Sequence, residues 1–144
     1  MAAVAVGVRR HYRDPVLVVT RFRVAAGDGA QFRERAGAAL LALTQRPGCL
    51  SAHLGRAVDD PTLWTVTTTW SSVGDYRRAL SSYDVKVAAV PLLSLALDEP
   101  TAFEDLLVWT PGAGADEHEP ALAADAGQVS LGEAATPHAP RALD

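Results

Sequence analysis

The chain has 144 residues, 49% of them apolar, and a net charge of −4, which suits one globular domain with a core and excludes disordered, fibrous and disulfide-rich classes. A single cysteine, Cys49, excludes an intramolecular disulfide and a cysteine zinc site and fits the reducing cytoplasm. No window reaches the ~18 apolar residues of a membrane span, and the apolar stretch Met1 to Val8 precedes Arg9, Arg10 and Arg13 instead of following them, so neither a membrane nor export is expected.

The charge is unevenly divided. Residues 1–110 carry 12 basic and 11 acidic side chains, net +1, whereas 111–144 carry six acidic and one basic, net −5. A body so nearly neutral lacks the basic surplus that nucleic-acid binding requires. Arg9-Arg10-His11-Tyr12-Arg13 is short and followed by Asp14, and reads as a solvated arm over residues 1–14.

Val16 to Val24, rich in β-branched and aromatic residues after the turn signal Asp14-Pro15, predicts a first strand. Asp28-x-x-Gln31 has capping-box spacing, and Phe32, Ala36, Ala39, Leu40 and Leu43 form one helical stripe that Arg46-Pro47-Gly48 stops. Leu50, Ala52, Leu54 and Val58 predict one face of a second strand. After the turn Asp59-Asp60-Pro61, Thr62 to Trp70 predicts a third, with Trp64, Val66, Thr68 and Trp70 on one side and Thr65, Thr67 and Thr69 on the other. Ser72-x-x-Asp75 is a second capping box, and Val73, Tyr76, Leu80 and Tyr83 give a stripe for a helical region bent near Pro91 and running through Leu97. Ala102 to Trp109 predicts a fourth strand, and 111–144 an acidic, flexible Ala/Pro/Gly-rich tail.

The order β-α-β-β-α-β over residues 15–110 predicts an α+β, ferredoxin-like domain. Two helices cover one sheet face, so a second copy packed sheet on sheet, a dimeric α+β barrel, is the simplest cover for the other.

No glycine-rich phosphate loop, dinucleotide fingerprint or serine elbow is present. His11, His53, His118 and His138 lack partners at ligand spacing except in Asp116-Glu117-His118-Glu119, so no metal site is expected, and Cys49 reads as a packed thiol. What remains is aromatic: Trp64 and Trp70 on a strand face, Tyr76 and Tyr83 on the helix above it. These are either ordinary core aromatics with satisfied polar tips or the walls of a slot for a flat ligand bearing oxygen substituents.

Arg46-Pro47-Gly48-Cys49-Leu50, Val58-Asp59-Asp60-Pro61 and Trp70-Ser71-Ser72, with their mutual spacings, resemble the antibiotic biosynthesis monooxygenase family over roughly residues 15–108. Pro47 to Ala52 is most similar to its cofactor-independent anthrone oxygenases, which are ferredoxin-like homodimers. That resemblance implies Trp70 and Tyr76 as catalytic residues, matching a pocket tryptophan and tyrosine in type and spacing. The family's pocket asparagine falls on Val66 and its arginine near Val90, one turn from Lys86. The residues of the haem-degrading branch fall on Thr20, Ala79 and Ala89, which leaves no axial histidine, and a histidine common in quinol-oxidising relatives falls on Ala79.

The function so implied is a cofactor-independent monooxygenase acting on a small aromatic or polyketide-like substrate. Trp70 and Tyr76 would donate to a developing oxyanion, and Thr20, Trp64, Val66, Thr68, Tyr83 and Lys86 would line the substrate. Arg21, Arg23 or Lys86 is the anion-stabilising candidate, although Arg21 and Arg23 alternate away from Thr20. No general base is evident, since His53 alternates away from Ala52 and Leu54. A non-catalytic dimeric binding module or cyclase-like protein is the alternative, and haem binding in the same slot a third reading.

Overall fold

Residues 9–10 and 14–120 are described by the computed structural model. In chain order they form β1 (Arg9–Arg10), β2 (Val16–Arg23), a 3-10 turn (Ala26–Asp28), α1 (Gly29–Thr44), β3 (Cys49–Arg56), β4 (Leu63–Trp70), α2 (Val73–Ser81), α3 (Tyr83–Ala88), α4 (Val90–Leu93), β5 (Ala102–Glu104), β6 (Leu107–Thr110) and β7 (Gly114–Glu117). The main sheet has the antiparallel order β3-β4-β2-β5, with α1 after its first strand and α2 to α4 after its third. This is the α+β, ferredoxin-like βαββαβ topology.

Alternation decides what is buried. Val16, Val18, Thr20 and Phe22 of β2 and Trp64, Val66, Thr68 and Trp70 of β4 turn toward the helices and are all buried, while the residues between them are less so. Phe32, Ala36, Ala39 and Leu43 of α1, Tyr76, Ala79 and Leu80 of α2, and Val85, Leu92 and Leu93 beyond complete one core. The small side chains of Ala36 and Ala39 let α1 lie close upon it.

Several local expectations are corrected. On β3, Leu50 is the extra residue of a bulge between Cys49 and Ser51 and is 64% exposed, and Val58 lies beyond the strand in solvent, so neither shares the face of Ala52 and Leu54. Asp28 makes no side-chain cap; the 3-10 turn, closed by Asp28 N–H to the Ala25 carbonyl (2.9 Å), leads into α1 instead. Ser72 does cap α2, its Oγ accepting from the Asp75 N–H at 3.1 Å.

The helical region after β4 is three short helices, α2 to α4, not one bent helix. Ser82 is extended (ψ 151°) and breaks the chain between α2 and α3, and Pro91 sits in the first turn of α4, where its missing N–H costs nothing. The break rotates Tyr83 off the stripe it shares with Tyr76 in sequence, leaving it 79% exposed.

The fourth strand is likewise two. β5 pairs with β2 for three residues; then Asp105 N–H turns to the Pro15 carbonyl (3.0 Å) and β6 begins in a different sheet. That second sheet has the order β1-β7-β6, with β6 and β7 an antiparallel hairpin turned by Gly112 and Gly114 at positive φ, and β1 parallel to β7. Residues 111–117, expected as tail, are therefore ordered, and Ala115 and His118 are buried. The backbone at Arg9 and Arg10, expected as solvated arm, pairs as a strand with that of Asp116 and Glu117. The rest of the expected tail, 121–144, and of the arm, 1–8 and 11–13, lies outside the described residues. Among the described residues no helix is long and apolar enough to cross a membrane.

Candidate functional site

The Trp70–Tyr76 junction is made by the end of β4, two serines and the first turn of α2. Alternation sends the Trp70 indole under α2, where it is fully buried, and the Ser72 cap sets the helix so that Tyr76 lies against it, ring centroids 5.4 Å apart and tilted 46°. The Trp70 indole N–H donates to Thr68 Oγ1 at 2.8 Å. That proton is therefore committed within the protein, which corrects the expectation that it serves an oxyanion. Burial pushes the Tyr76 phenol well above its ordinary pKa, so at neutral pH it is protonated and a hydrogen-bond donor, not a base.

Thr20, Val66 and Thr68 border the same interface and are buried. Thr20 and Val66 are directly paired across β2 and β4, and Val66 also faces Leu54 of β3. Together with Trp70, Tyr76, Ala79 and Ala89 these side chains fill the sheet–helix interface. Tyr83 and Lys86 are not brought to it: both stand in solvent on α3. Arg21 and Arg23 occupy the other face of β2 and are already engaged, Arg21 by a bidentate pair to Glu99 (2.7 Å for each bond) and Arg23 with Asp60 (2.8 Å) and Thr62 (2.9 Å). His53 is exposed beside Thr67 on that same outer face.

Trp64 belongs to a second aromatic group at the far end of the interface. Its ring meets Phe32 edge-on at 5.3 Å, Phe32 meets Phe22 at 5.0 Å, and the Arg56 guanidinium lies 5.4 Å from the Trp64 ring centroid. The Trp64 indole nitrogen is buried with no hydrogen-bond partner among the described residues. Beside this group a depression of about 220 Å³ is lined by Phe22, Phe32, Val24 and Leu95, with Arg23, Asp28, Gln31 and Arg35 among its polar walls.

Sequence reasoning passed over the carboxylate next to Tyr76. Asp75 is only 6% exposed, accepts hydrogen bonds from Ser71 Oγ and Arg78 Nη2, and abuts Gly48 of the α1–β3 turn. The Ser71 hydroxyl first, then the Arg78 guanidinium, hold its pKa below the ordinary carboxylate value, so it is a poor general base. Its one signal in sequence is the capping spacing from Ser72, which says nothing of Gly48, 27 positions earlier.

The family model described as antibiotic biosynthesis monooxygenase matches residues 15–90, which is 76 of the 144 residues. Among solved structures, a variant of SnoaB, a cofactor-independent oxygenase from Streptomyces nogalater, is 25% identical with a TM-score of 0.52, over 64% of this chain and 89% of that one. A conserved protein from Methanosarcina mazei Go1 is 20% identical with a TM-score of 0.54, over 64% and 91% of the two chains. A conserved protein from Bacteroides thetaiotaomicron VPI-5482 is 13% identical with a TM-score of 0.57, over 65% and 99%. The last two likenesses concern the fold alone. No curated protein matches the chain.

Proposed function

The chain belongs to the antibiotic biosynthesis monooxygenase family, and from that premise we propose that it is a cofactor-independent monooxygenase acting on a small aromatic or polyketide-like substrate. The observation that carries the reading is the Trp70–Tyr76 pair in a water-excluded interface, with a protonated phenol as donor. The likeness to a cofactor-independent oxygenase supports it.

Oxygenation without a cofactor draws its electrons from the substrate. For an anthrone-type methylene, loss of a proton gives a delocalised carbanion. One-electron transfer to O₂ and recombination then form a carbon–oxygen bond as a hydroperoxide. Cleavage of its O–O bond with loss of the second carbon-bound hydrogen leaves a ketone and water, so one substrate and one O₂ give one quinone and one H₂O. Tyr76 donates to the substrate oxygen as negative charge develops there, and the dry surroundings strengthen that bond. Trp70, its N–H fixed on Thr68, supplies a rigid aromatic wall. Because its own side chains fill the interface, substrate binding requires α2 to lift from β4, and the extended residue Ser82 provides a pivot.

A second copy of the chain, packed on the outer sheet face, belongs to the same proposal. That face carries Leu17, Val19 and Phe103, and the nearby hairpin exposes Leu107 and Trp109, a combination suited to a partner. Cytoplasmic residence rests on cysteine usage alone.

Oxygen uptake by the purified protein with a panel of anthrones and quinols tests the reading. Uptake that falls at least tenfold in Tyr76→Phe is the expected result; no uptake, or uptake unchanged in Tyr76→Phe and Trp70→Phe, refutes it. The filled interface favours a second reading, a non-catalytic small-molecule-binding module. Thermal stabilisation by the same ligands without turnover would establish that one instead.

A further inference from the structure

A depression of about 410 Å³ lies between the α1–β3 turn and the C-terminal half of α2, lined by Arg46, Arg77, Arg78, Ser81 and Ser82. It is separate from the Trp70–Tyr76 interface and is independent of the oxygenase reading. We propose that it binds the phosphate group of a soluble phosphorylated small molecule through the guanidinium groups of Arg46, Arg77 and Arg78.

Charge comes first. Three arginines and no acidic residue line the depression among the described residues. One of the three charges is offset: Arg78 Nη2 is paired with the buried carboxylate of Asp75. Three less one leaves two positive charges, which matches a phosphate dianion. The planar fork of arginine, with its parallel N–H groups, suits phosphate oxygens better than a spherical anion.

The depression also borders an unmet hydrogen-bond donor. Arg46 Nε is buried and has no partner among the described residues. A buried donor on a permanently charged group carries a desolvation cost that an anionic acceptor removes. The turn that carries the side chain is fixed at its backbone, with Arg46 N–H on the Leu43 carbonyl (3.1 Å) and Cys49 N–H on the Arg46 carbonyl (3.3 Å). Gly48, at φ +90°, lets the turn press against Asp75, and Asp75 in turn orients Arg78. The Arg78 guanidinium and the backbone of the Arg46 turn are thus set before any ligand arrives.

The serine hydroxyls are already engaged. Ser81 Oγ donates to the Arg77 carbonyl at 3.1 Å and Ser82 Oγ to the Ala79 carbonyl at 2.7 Å. With those protons spent on the helix end, anion recognition falls to the guanidinium N–H groups. The volume falls within the range of small-molecule sites, about 300–1,000 Å³, which leaves room for a group attached to the phosphate.

Two-dimensional NMR of the full chain, following backbone amides and arginine Nε–Hε signals, tests this during titration with inorganic phosphate, pyrophosphate, sodium chloride and phosphatidic acid vesicles. A saturable downfield shift of the Arg46 Nε–Hε signal with phosphate and pyrophosphate but not chloride is expected, with amide shifts confined to residues 46, 48 and 77–82. Arg77→Gln should weaken binding at least tenfold. Arg46→Lys, which keeps the charge and lacks the Nε donor, should weaken it at least threefold, and Arg33→Gln on the exposed side of α1 should leave it unchanged. Non-saturable or dispersed shifts, binding only to vesicles, or Arg77→Gln and Arg46→Lys titrating like the parent protein would overturn the proposal.

Discussion

Replacing Gly48 by alanine is the sharpest test of how this fold is held. The residue has φ +90°, where an L side chain is strained by about 1–2 kcal/mol. A Cβ there would lie 2.5 Å from the Asp75 Cβ, Cγ and Oδ2, closer than any real Cβ contact. The atoms it meets include the root of the Asp75 side chain, so the carboxylate cannot simply swing aside, and relief requires α2 to shift or the bonds from Ser71 and Arg78 to loosen. Loosening one hydrogen bond to a buried charge costs about 1.5–3 kcal/mol. Strain and displacement together predict a loss of about 3–5 kcal/mol, or a fall in Tm of at least roughly 10 °C for a domain of this size. Urea denaturation with unchanged m-value is the assay. Part of the cost should vanish in an Asp75→Ala background, where Cγ and Oδ2 are gone and only the Cβ still obstructs. A Gly48→Ala loss below about 1 kcal/mol, or one identical in both backgrounds, would refute the reasoning.

Trp70→Ala removes a fully buried ring and should cost about 3–5 kcal/mol by the same assay, whereas Tyr83→Ala, in solvent, should stay within about 0.5 kcal/mol. Acid should destabilise the chain. Asp60 is lowered to about 2 by the Thr62 hydroxyl, the Thr62 N–H and Arg23, Asp75 is lowered by Ser71 and Arg78, and Glu99 by Arg21. Each depressed carboxylate contributes stability that is present above the unfolded value near ~4 and lost as pH falls through the folded one, so the urea midpoint should decline from about pH 4 toward pH 2. Asp60→Asn should flatten that decline, and a midpoint that rises on acidification would contradict it. If copies pair through the outer sheet face, Phe103→Asp with Trp109→Asp should convert dimer to monomer in light scattering; a parent chain that is monomeric at all concentrations removes that part of the reading.

Much of this was legible because β4 obeys a period of two without exception: Trp64, Val66, Thr68 and Trp70 reach the core as alternation requires. The register of β2 against β4 then follows, since both strands must turn an apolar face to the same helices. What escaped was set by single backbone events. Tyr83 lies seven residues after Tyr76 and fits a helical stripe perfectly well; only the extended Ser82 between them turns it outward. Leu50 alternates correctly until a bulge inserts one residue. The hairpin of β6 and β7 is hidden by alanine, glycine and acid, a composition shared with unstructured tails, and depends on two glycines at positive φ. The arginine depression joins residue 46 to residues 77–82, a juxtaposition created by folding that no local spacing announces.

The three tryptophans also make the chain its own optical instrument. Trp70 is wholly enclosed and hydrogen-bonded, Trp64 nearly enclosed, and Trp109 64% exposed on the hairpin. Their emission therefore separates by environment: a short-wavelength component from the interior that iodide does not quench, and a red, quenchable one from β6. Loosening of α2 moves the first, and anything that covers the hairpin moves the second. Two separate events can be followed in one cuvette without a label.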